Sequence, residues 1–273
     1  MYCIPDQKKA EERNYQHIDE AKMNTTKNFD GYAKDYTVGR PNYAAQLIDS
    51  IFNKYGLSKN SVIADIGSGT GKFSRQLLDM GSIVFSVEPN DDMRSVAETE
   101  LSGYPNFHSI HGDAENTTLE SGLTDFVTTA QAFHWFDVQK FRNECIRILK
   151  ENGKVALIWN VRDLSDVLNQ ELYQIYTRYC PRFKGFSGGI VKDDPRIKDF
   201  FGGDYDYLSF DNPLFFDKDR FVARGLSGSY SLKEGDTEYK EYMDVIIDTF
   251  NRYSSDGIVK MGNSSVAYIG SII

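Results

Sequence analysis

Apolar positions in the first 160 residues fall into short continuous runs that alternate with stretches of helical period. The run at 62–66, Val-Ile-Ala-Asp-Ile, is broken by a single acid and has the character of a parallel strand covered on both faces. Gly67, Gly69 and Gly71 follow, and then Phe73, Leu77 and Leu78 at helical spacing. The alternation repeats with a strand at 83–87, a helix carrying Met93, Val96, Ala97 and Leu101, and a third strand at 107–110. A fourth strand at 125–130 precedes a helix over 138–149 marked by Phe141, Cys145, Ile148 and Leu149, and a fifth strand covers 154–159. Ahead of all these, Leu47, Ile48, Ile51 and Phe52 predict a helix over 43–55 that stops at Gly56. Strands alternating with helices in this way predict an α/β fold on a mostly parallel sheet.

Beyond residue 164 the pattern loosens. A helix is expected over 166–179, ended by Pro181, while 183–203 is rich in glycine and charge and shows no period. A sixth strand fits 205–210, and Asp217 is placed to cap a helix through Phe221 and Leu226. Tyr239, Tyr242, Met243, Ile246, Phe250 and Tyr253 have the spacing of a long amphipathic helix. Short strands at 258–261 and 266–269 close the chain.

The glycine turn after the first strand carries the candidate chemistry. Alternate glycines let the backbone adopt positive φ and approach a ligand closely, and the following helix aims its N-terminal N–H groups at the same place. The dinucleotide pattern G-x-G-x-x-G needs a third glycine where Lys72 stands, and the phosphate loop fails at Ile66 and Phe73. What remains is D-x-G-x-G-x-G. The carboxylate of Asp65 suits a ligand with a cationic amino group better than a pyrophosphate, which it would repel. Glu88 ends the second strand, where an acid accepts from both ribose hydroxyls in sheets of this kind. Asp113 follows the third strand. Glu88 as a turn acid and Asp113 as a turn or cap residue are the plainer alternatives.

The 273 residues carry a formal net charge of −9, with 40% apolar and 26% charged residues, enough for one large domain with a substantial core. No basic stripe stands out, which argues against nucleic acid; Arg142, Arg147, Lys150 and Lys154 cluster along one helix, as a solvated face would. Cys3, Cys145 and Cys180 are too widely spaced for a disulfide framework or a metal motif, which favours a reducing cytoplasm. No apolar run is long enough to cross a bilayer, so no membrane partner is expected. Aromatic residues concentrate in the last hundred positions and imply either a second packed region or an aromatic pocket. Residues 1–28 are polar and charged and are expected to form a flexible segment.

Ala64-Asp65-Ile66-Gly67-Ser68-Gly69-Thr70-Gly71 resembles the first motif of the class I S-adenosylmethionine-dependent methyltransferases. Glu88 and Asp113 agree with the later motifs in order and spacing. The resemblance is specific over 62–162 and diffuse across the rest of 29–273. It implies a doubly wound, seven-stranded, mostly parallel sheet of Rossmann-like type closed by an antiparallel last strand, with helical cap elements around 164–203 and 217–230. It implies S-adenosyl-L-methionine as cofactor and S-adenosyl-L-homocysteine as product, held by Asp65, Gly67, Ser68, Gly69, Glu88, Pro89, Met93, Asp113, Ala114 and Ala130, with Asp113 on the adenine amino group. The segment containing Tyr36, Arg40, Pro41 and Tyr43 is similar to one that precedes the first strand in small-molecule methyltransferases, so Tyr36 and Arg40 would border the methionine end; packing and surface pairing are their alternatives. Ala130-Gln131-Ala132-Phe133-His134-Trp135 is similar to the trans-aconitate-type branch, whose acceptors are small molecules. In that resemblance Trp135 lines the acceptor side, and His134 is either a general base or a structural hydrogen-bonding group. Trp159-Asn160-Val161-Arg162-Asp163 is similar to a segment pointing toward the acceptor, which places Asn160 there and lets Arg162 either clamp an anion or pair with a nearby acid. A methyltransferase acting on a protein or nucleic acid, and a non-catalytic binder of the same cofactor, share these motifs.

Overall fold

The computed structural model describes residues 41–189, 192, 194–228 and 230–272; the expectations for residues 1–28, Tyr36 and Arg40 lie outside the described residues. In chain order the first half runs α1 (Ala45–Tyr55), β1 (Val62–Ile66), α2 (Lys72–Asp79), β2 (Ile83–Val87), α3 (Asp91–Glu100), β3 (Phe107–Ile110), β4 (Thr124–Ala130) and α4 (Val138–Ile148). The second half runs β5 (Leu149–Arg162), α5 (Val167–Tyr179), α6 (Pro195–Phe201), β6 (Asp206–Asp211), β7 (Leu214–Phe216), α7 (Lys218–Leu226), α8 (Tyr239–Tyr253), β8 (Val259–Met261) and β9 (Asn263–Gly270). Short 3₁₀ turns lie at Phe133–Trp135 and Phe186–Gly189.

Among the described residues, seven strands form one sheet in the order β3-β2-β1-β4-β5-β9-β6. The strands β1 to β5 pair in parallel, and β9 runs antiparallel to both β5 and β6. This is the doubly wound, mostly parallel architecture expected from the sequence. The order reverses between β1 and β4, and a crevice opens at the carboxyl ends of such strands where the reversal occurs.

Strand periodicity explains the two faces. Ile63 and Ala64 point to opposite sides, as successive strand residues must. Ile63, Val84 and Phe126 pack under Leu47, Ile48 and Ile51 of α1 and Leu77 of α2. On the other side Ala64, Val127, Leu157 and Trp159 pack under Phe141, Cys145 and Ile148 of α4. Caps fix where helices begin: Asn90 accepts from the Met93 N–H, Asp137 from Lys140, and Asp166 from Leu168 and Asn169.

The stretch 183–203, expected as part of a cap, divides. Its C-terminal part forms α6, and Ile197, Phe200 and Phe201 are buried in the sheet core beside α4, with Phe200 stacked on Phe141 at 5.2 Å. A short helix with three large apolar residues and a Pro at its first turn offers too few periods to be read from sequence. Within the expected cap ranges, α5 and α7 pack with α8 and the β7–β8 pair into a third core, which brings Leu172, Tyr176, Phe216, Phe221, Tyr242 and Phe250 together. This core absorbs much of the C-terminal aromatic content, so packing accounts for it. The basic cluster is paired rather than free. Arg142 donates to the carbonyls of Phe200 and Ile272, Arg147 pairs with Glu144, and Lys150 with Asp125.

Candidate functional site

A cavity opens at the carboxyl ends of β1, β2 and β4, beneath Pro41 and Tyr43 and beside α7. The glycine turn forms one wall. Gly67 has φ of 68°, and a Cβ there would stand 2.7 Å from Cβ of Ala132, so this glycine serves close packing as well as the turn. Gly69 has φ of 57° and faces open space, with nothing within 4 Å of a built Cβ; its backbone approaches the cavity bare.

Glu88 is 8% exposed and is held from two directions. The Gly69 N–H donates to Oε2 at 2.9 Å and the Asn90 N–H donates to Oε1 at 2.9 Å. Burial pushes its pKa up, and the two backbone N–H groups, with Arg94 nearby, draw it back. Each carboxylate oxygen accepts at two sites, so one on each remains to receive a hydroxyl. A vicinal diol is the fitting ligand group.

Asp65 is fully buried. Ser74 Oγ donates to its Oδ2 at 2.6 Å and Thr128 Oγ1 to its Oδ1 at 2.9 Å. Burial is the main reason its pKa rises to about 6, opposed by the two hydroxyls and assisted by the charge of Glu88. The carboxylate therefore ties β1, β4 and α2 together behind the turn. Asp113 is exposed and makes an Asx turn, its Oδ1 accepting from the N–H groups of Glu115 and Asn116 at 2.9 and 2.8 Å. That is the turn role weighed against the functional one; the turn uses Oδ1 alone, and the residue also lines the cavity.

Of the residues singled out from sequence, Asp65, Gly67, Ser68, Gly69, Glu88, Pro89, Met93, Asp113, Ala114, Ala130, Trp135 and Asn160 all border this one cavity. Two do not. His134 stacks at a tilt on Trp135, ring centroids 4.9 Å apart, and is not part of the lining, so the placement lends no support to a general base there. Arg162 is 9% exposed, lies over the rings of Phe186 at 4.3 Å and Tyr176 at 5.7 Å, and also stays outside the lining. Nor does it pair with a nearby acid among the described residues: Asp163 accepts from Ser165, and the guanidinium lies against the two rings.

Asn160 does more than face a ligand. Its Oδ1 accepts from Ser265 Oγ at 2.6 Å and from Asn212 Nδ2 at 3.1 Å, and its Nδ2 donates to the Asn42 carbonyl at 3.2 Å. Its own carbonyl accepts from Gln131 Nε2 at 2.9 Å. Gln131 is held at φ of 59°, unusual for a side chain with a Cβ, and lines the cavity. Sequence reasoning missed Lys72 and Arg224 as lining residues; Gln131 and Phe136 belong to the stretch expected at the ligand-binding edge but were given no role of their own. Lys72 carried a signal, since it stands where a third glycine would close a dinucleotide motif. Arg224 carried none, because α7 reaches the site only through the tertiary fold.

The family described as "Methyltransferase domain" matches residues 64–157. The chain is 28% identical over 243 residues to an uncharacterised methyltransferase of Schizosaccharomyces pombe, covering 86% of this chain and 92% of that one. It is 34% identical over 128 residues to an uncharacterised methyltransferase of Mycobacterium bovis, which is 47% of this chain and only 50% of that relative. A solved structure from Anaeromyxobacter dehalogenans, assigned as a type II methyltransferase, shares the fold with a TM-score of 0.62 at 18% identity, over 86% of this chain and 98% of that one.

Proposed function

We propose that the chain is an S-adenosylmethionine-dependent methyltransferase whose acceptor is a small molecule bound beside Trp135 under the cap; the methyltransferase-domain match and the methyltransferase relatives support the class. The observation that carries the reading is the convergence of Asp65, Glu88 and Asp113, from three neighbouring strands, on one cavity that α7 and Tyr43 cover. The donor set fits the cofactor. Glu88 has an acceptor site left on each oxygen for the ribose hydroxyls, Asp113 lines the cavity with Oδ2 outside its turn's hydrogen bonds and so available to the adenine amino group, and Gly69 clears space for close approach. S-adenosylmethionine, when bound, supplies a methyl group on a positively charged sulfur that keeps the C–S electron pair as the acceptor's lone pair takes the methyl. The chain aligns the reactants and excludes water, which supplies most of the rate in a displacement of this kind. Trp135, 38% exposed, presents a ring face of the kind that attracts a cationic centre. The likeness of 130–135 to the trans-aconitate-type branch supports a small acceptor, and the acidic net charge speaks against nucleic acid. No helix among the described residues is long and apolar enough to cross a membrane, and we place the enzyme in the cytoplasm.

Calorimetric titration tests the cofactor. S-adenosylmethionine binds and NADH does not, and Glu88→Ala weakens the former by about tenfold or more, the scale of lost charge-assisted hydrogen bonds. Tight NADH binding without a response to S-adenosylmethionine reverses the assignment.

A further inference from the structure

β4 leaves the sheet abruptly. Its ladder with β5 ends at Ala130 opposite Ile158, and the Gln131 N–H still donates to the Ile158 carbonyl at 2.9 Å. In a parallel ladder the next rung would run from residue 133 to the Asn160 carbonyl, two residues on along each strand. The chain has turned away by then, since Phe133 opens a 3₁₀ turn and is buried in the core. A carbonyl left without a donor inside the protein is costly. The Gln131 side chain supplies the donor: its Nε2 reaches the Asn160 carbonyl at 2.9 Å, where Ser187 Oγ adds only a long contact at 3.5 Å. Six residues with side chains hold positive φ among the described residues, and Asn60, Asn152 and Asp256 are of the types that tolerate it. Gln131, at 59°, lacks the short side chain that lets Asn do so, and alone among the six it lines the cavity. Strain kept beside a ligand site points to a task. The residues that follow show which one. A Cβ on Gly67 would stand 2.7 Å from the Ala132 Cβ and 3.1 Å from the Phe136 ring, so this turn presses on the glycine turn at two points. Trp135, whose N–H donates to the Ala132 carbonyl at 2.9 Å, lines the cavity from the same turn.

We propose that Gln131 is a positioning residue for methyl transfer: its amide clamps the turn 131–136 to β5, and so sets Ala132 on the glycine turn and Trp135 in the cavity wall before a ligand arrives. This rests on the methyltransferase reading for the choice of ligand. The amide takes no part in making or breaking bonds. A wall fixed during folding does not have to be ordered on binding, and that is the advantage the clamp confers. Two substitutions separate the side chain from the backbone. Asn tolerates positive φ but carries its amide one methylene short of the Asn160 carbonyl, whereas Met has the length of Gln, keeps the strain and has no donor. Binding therefore follows the amide, and stability follows the backbone.

Gln131→Asn and Gln131→Met in the full chain are compared with wild type by thermal melting, by calorimetric titration with S-adenosylhomocysteine, and by fluorine NMR of protein carrying fluorotryptophan. The chain has two tryptophans, Trp135 and the core residue Trp159, and the signal lost in Trp135→Phe assigns the first. Both substitutions weaken S-adenosylhomocysteine by about fivefold or more, and both broaden or shift the Trp135 resonance of the ligand-free protein while that of Trp159 stays. Gln131→Asn melts within about 2 °C of wild type, because released strain offsets the lost hydrogen bond, and Gln131→Met melts several degrees lower. Should Gln131→Met not fold, Gln131→Asn carries the test alone. A loss of affinity smaller than about fivefold in Gln131→Asn, or a Trp135 resonance that does not move, overturns the proposal. So does a loss confined to Gln131→Met and matched by its fall in melting temperature, which is ordinary destabilisation. A wild-type chain that binds no S-adenosylhomocysteine sinks the methyltransferase reading, a separate result, and the ligand-free Trp135 resonance then decides the clamp by itself.

Discussion

At the scale of single residues, the cavity holds carboxylates whose surroundings work against their charge. Asp65 is the extreme case, buried completely behind the glycine turn with a pKa of about 6 against 3.8 for the free side chain. A folded pKa above the unfolded one means that the native state favours the protonated form. The ionised carboxylate therefore lowers stability as pH rises from about 4 to about 6, and the loss is complete above the folded pKa, at about 3 kcal/mol by linkage. Asp65→Asn removes that penalty. The variant melts several degrees above wild type at pH 7.5, with the gap closing near pH 4, as scanning calorimetry across pH will record. A gap that persists at pH 4 would place the effect in packing rather than charge. Arg162 is the contrasting residue: a charge buried against two aromatic rings, whose guanidinium finds its company in π-faces rather than in a carboxylate.

At the scale of elements, the strand–turn–helix unit β1–α2 performs two tasks that substitution separates. Gly67→Ala forces a Cβ against Ala132 and Phe136 at a positive φ, so the variant loses about 2 kcal/mol or more of stability. Gly69→Ala meets nothing in the protein and bears only the backbone strain of about 1–2 kcal/mol, yet its methyl stands where a ligand must approach. Denaturant unfolding and cofactor titration together read the difference: Gly67→Ala is the less stable protein, and Gly69→Ala the more stable of the two with the weaker binding per unit of stability lost. Equal stabilities would refute the assigned roles. The α6 element makes a related point about packing, since Phe200 and Phe201 anchor an otherwise irregular segment by filling the sheet core.

At the scale of the whole molecule, the α/β half was legible in the sequence because each strand is a short apolar run and each helix has a repeating apolar face. Asp65, Glu88 and Asp113 were legible for the same reason, since strand ends locate themselves once strands are known. The cap was not. Its core draws α5, α7, α8 and β7–β8 from segments scattered over about ninety residues, and β7 is only three residues long, below any periodic signal. Arg224 was hidden likewise by tertiary placement, and the backbone angle of Gln131 had no sequence signal. Asn160 binds these scattered parts into one mechanical unit: a single amide and its carbonyl touch the chain before α1, the loop after β4, the turn before β7 and the final strand. Order imposed at the roof of the cavity must then be felt in the middle of the sheet. Ligand binding will slow amide hydrogen exchange at Asn263–Ser265, far along the sequence from the glycine turn, and Asn160→Ala will uncouple the two, leaving a protein that still takes up its ligand without stiffening its spine.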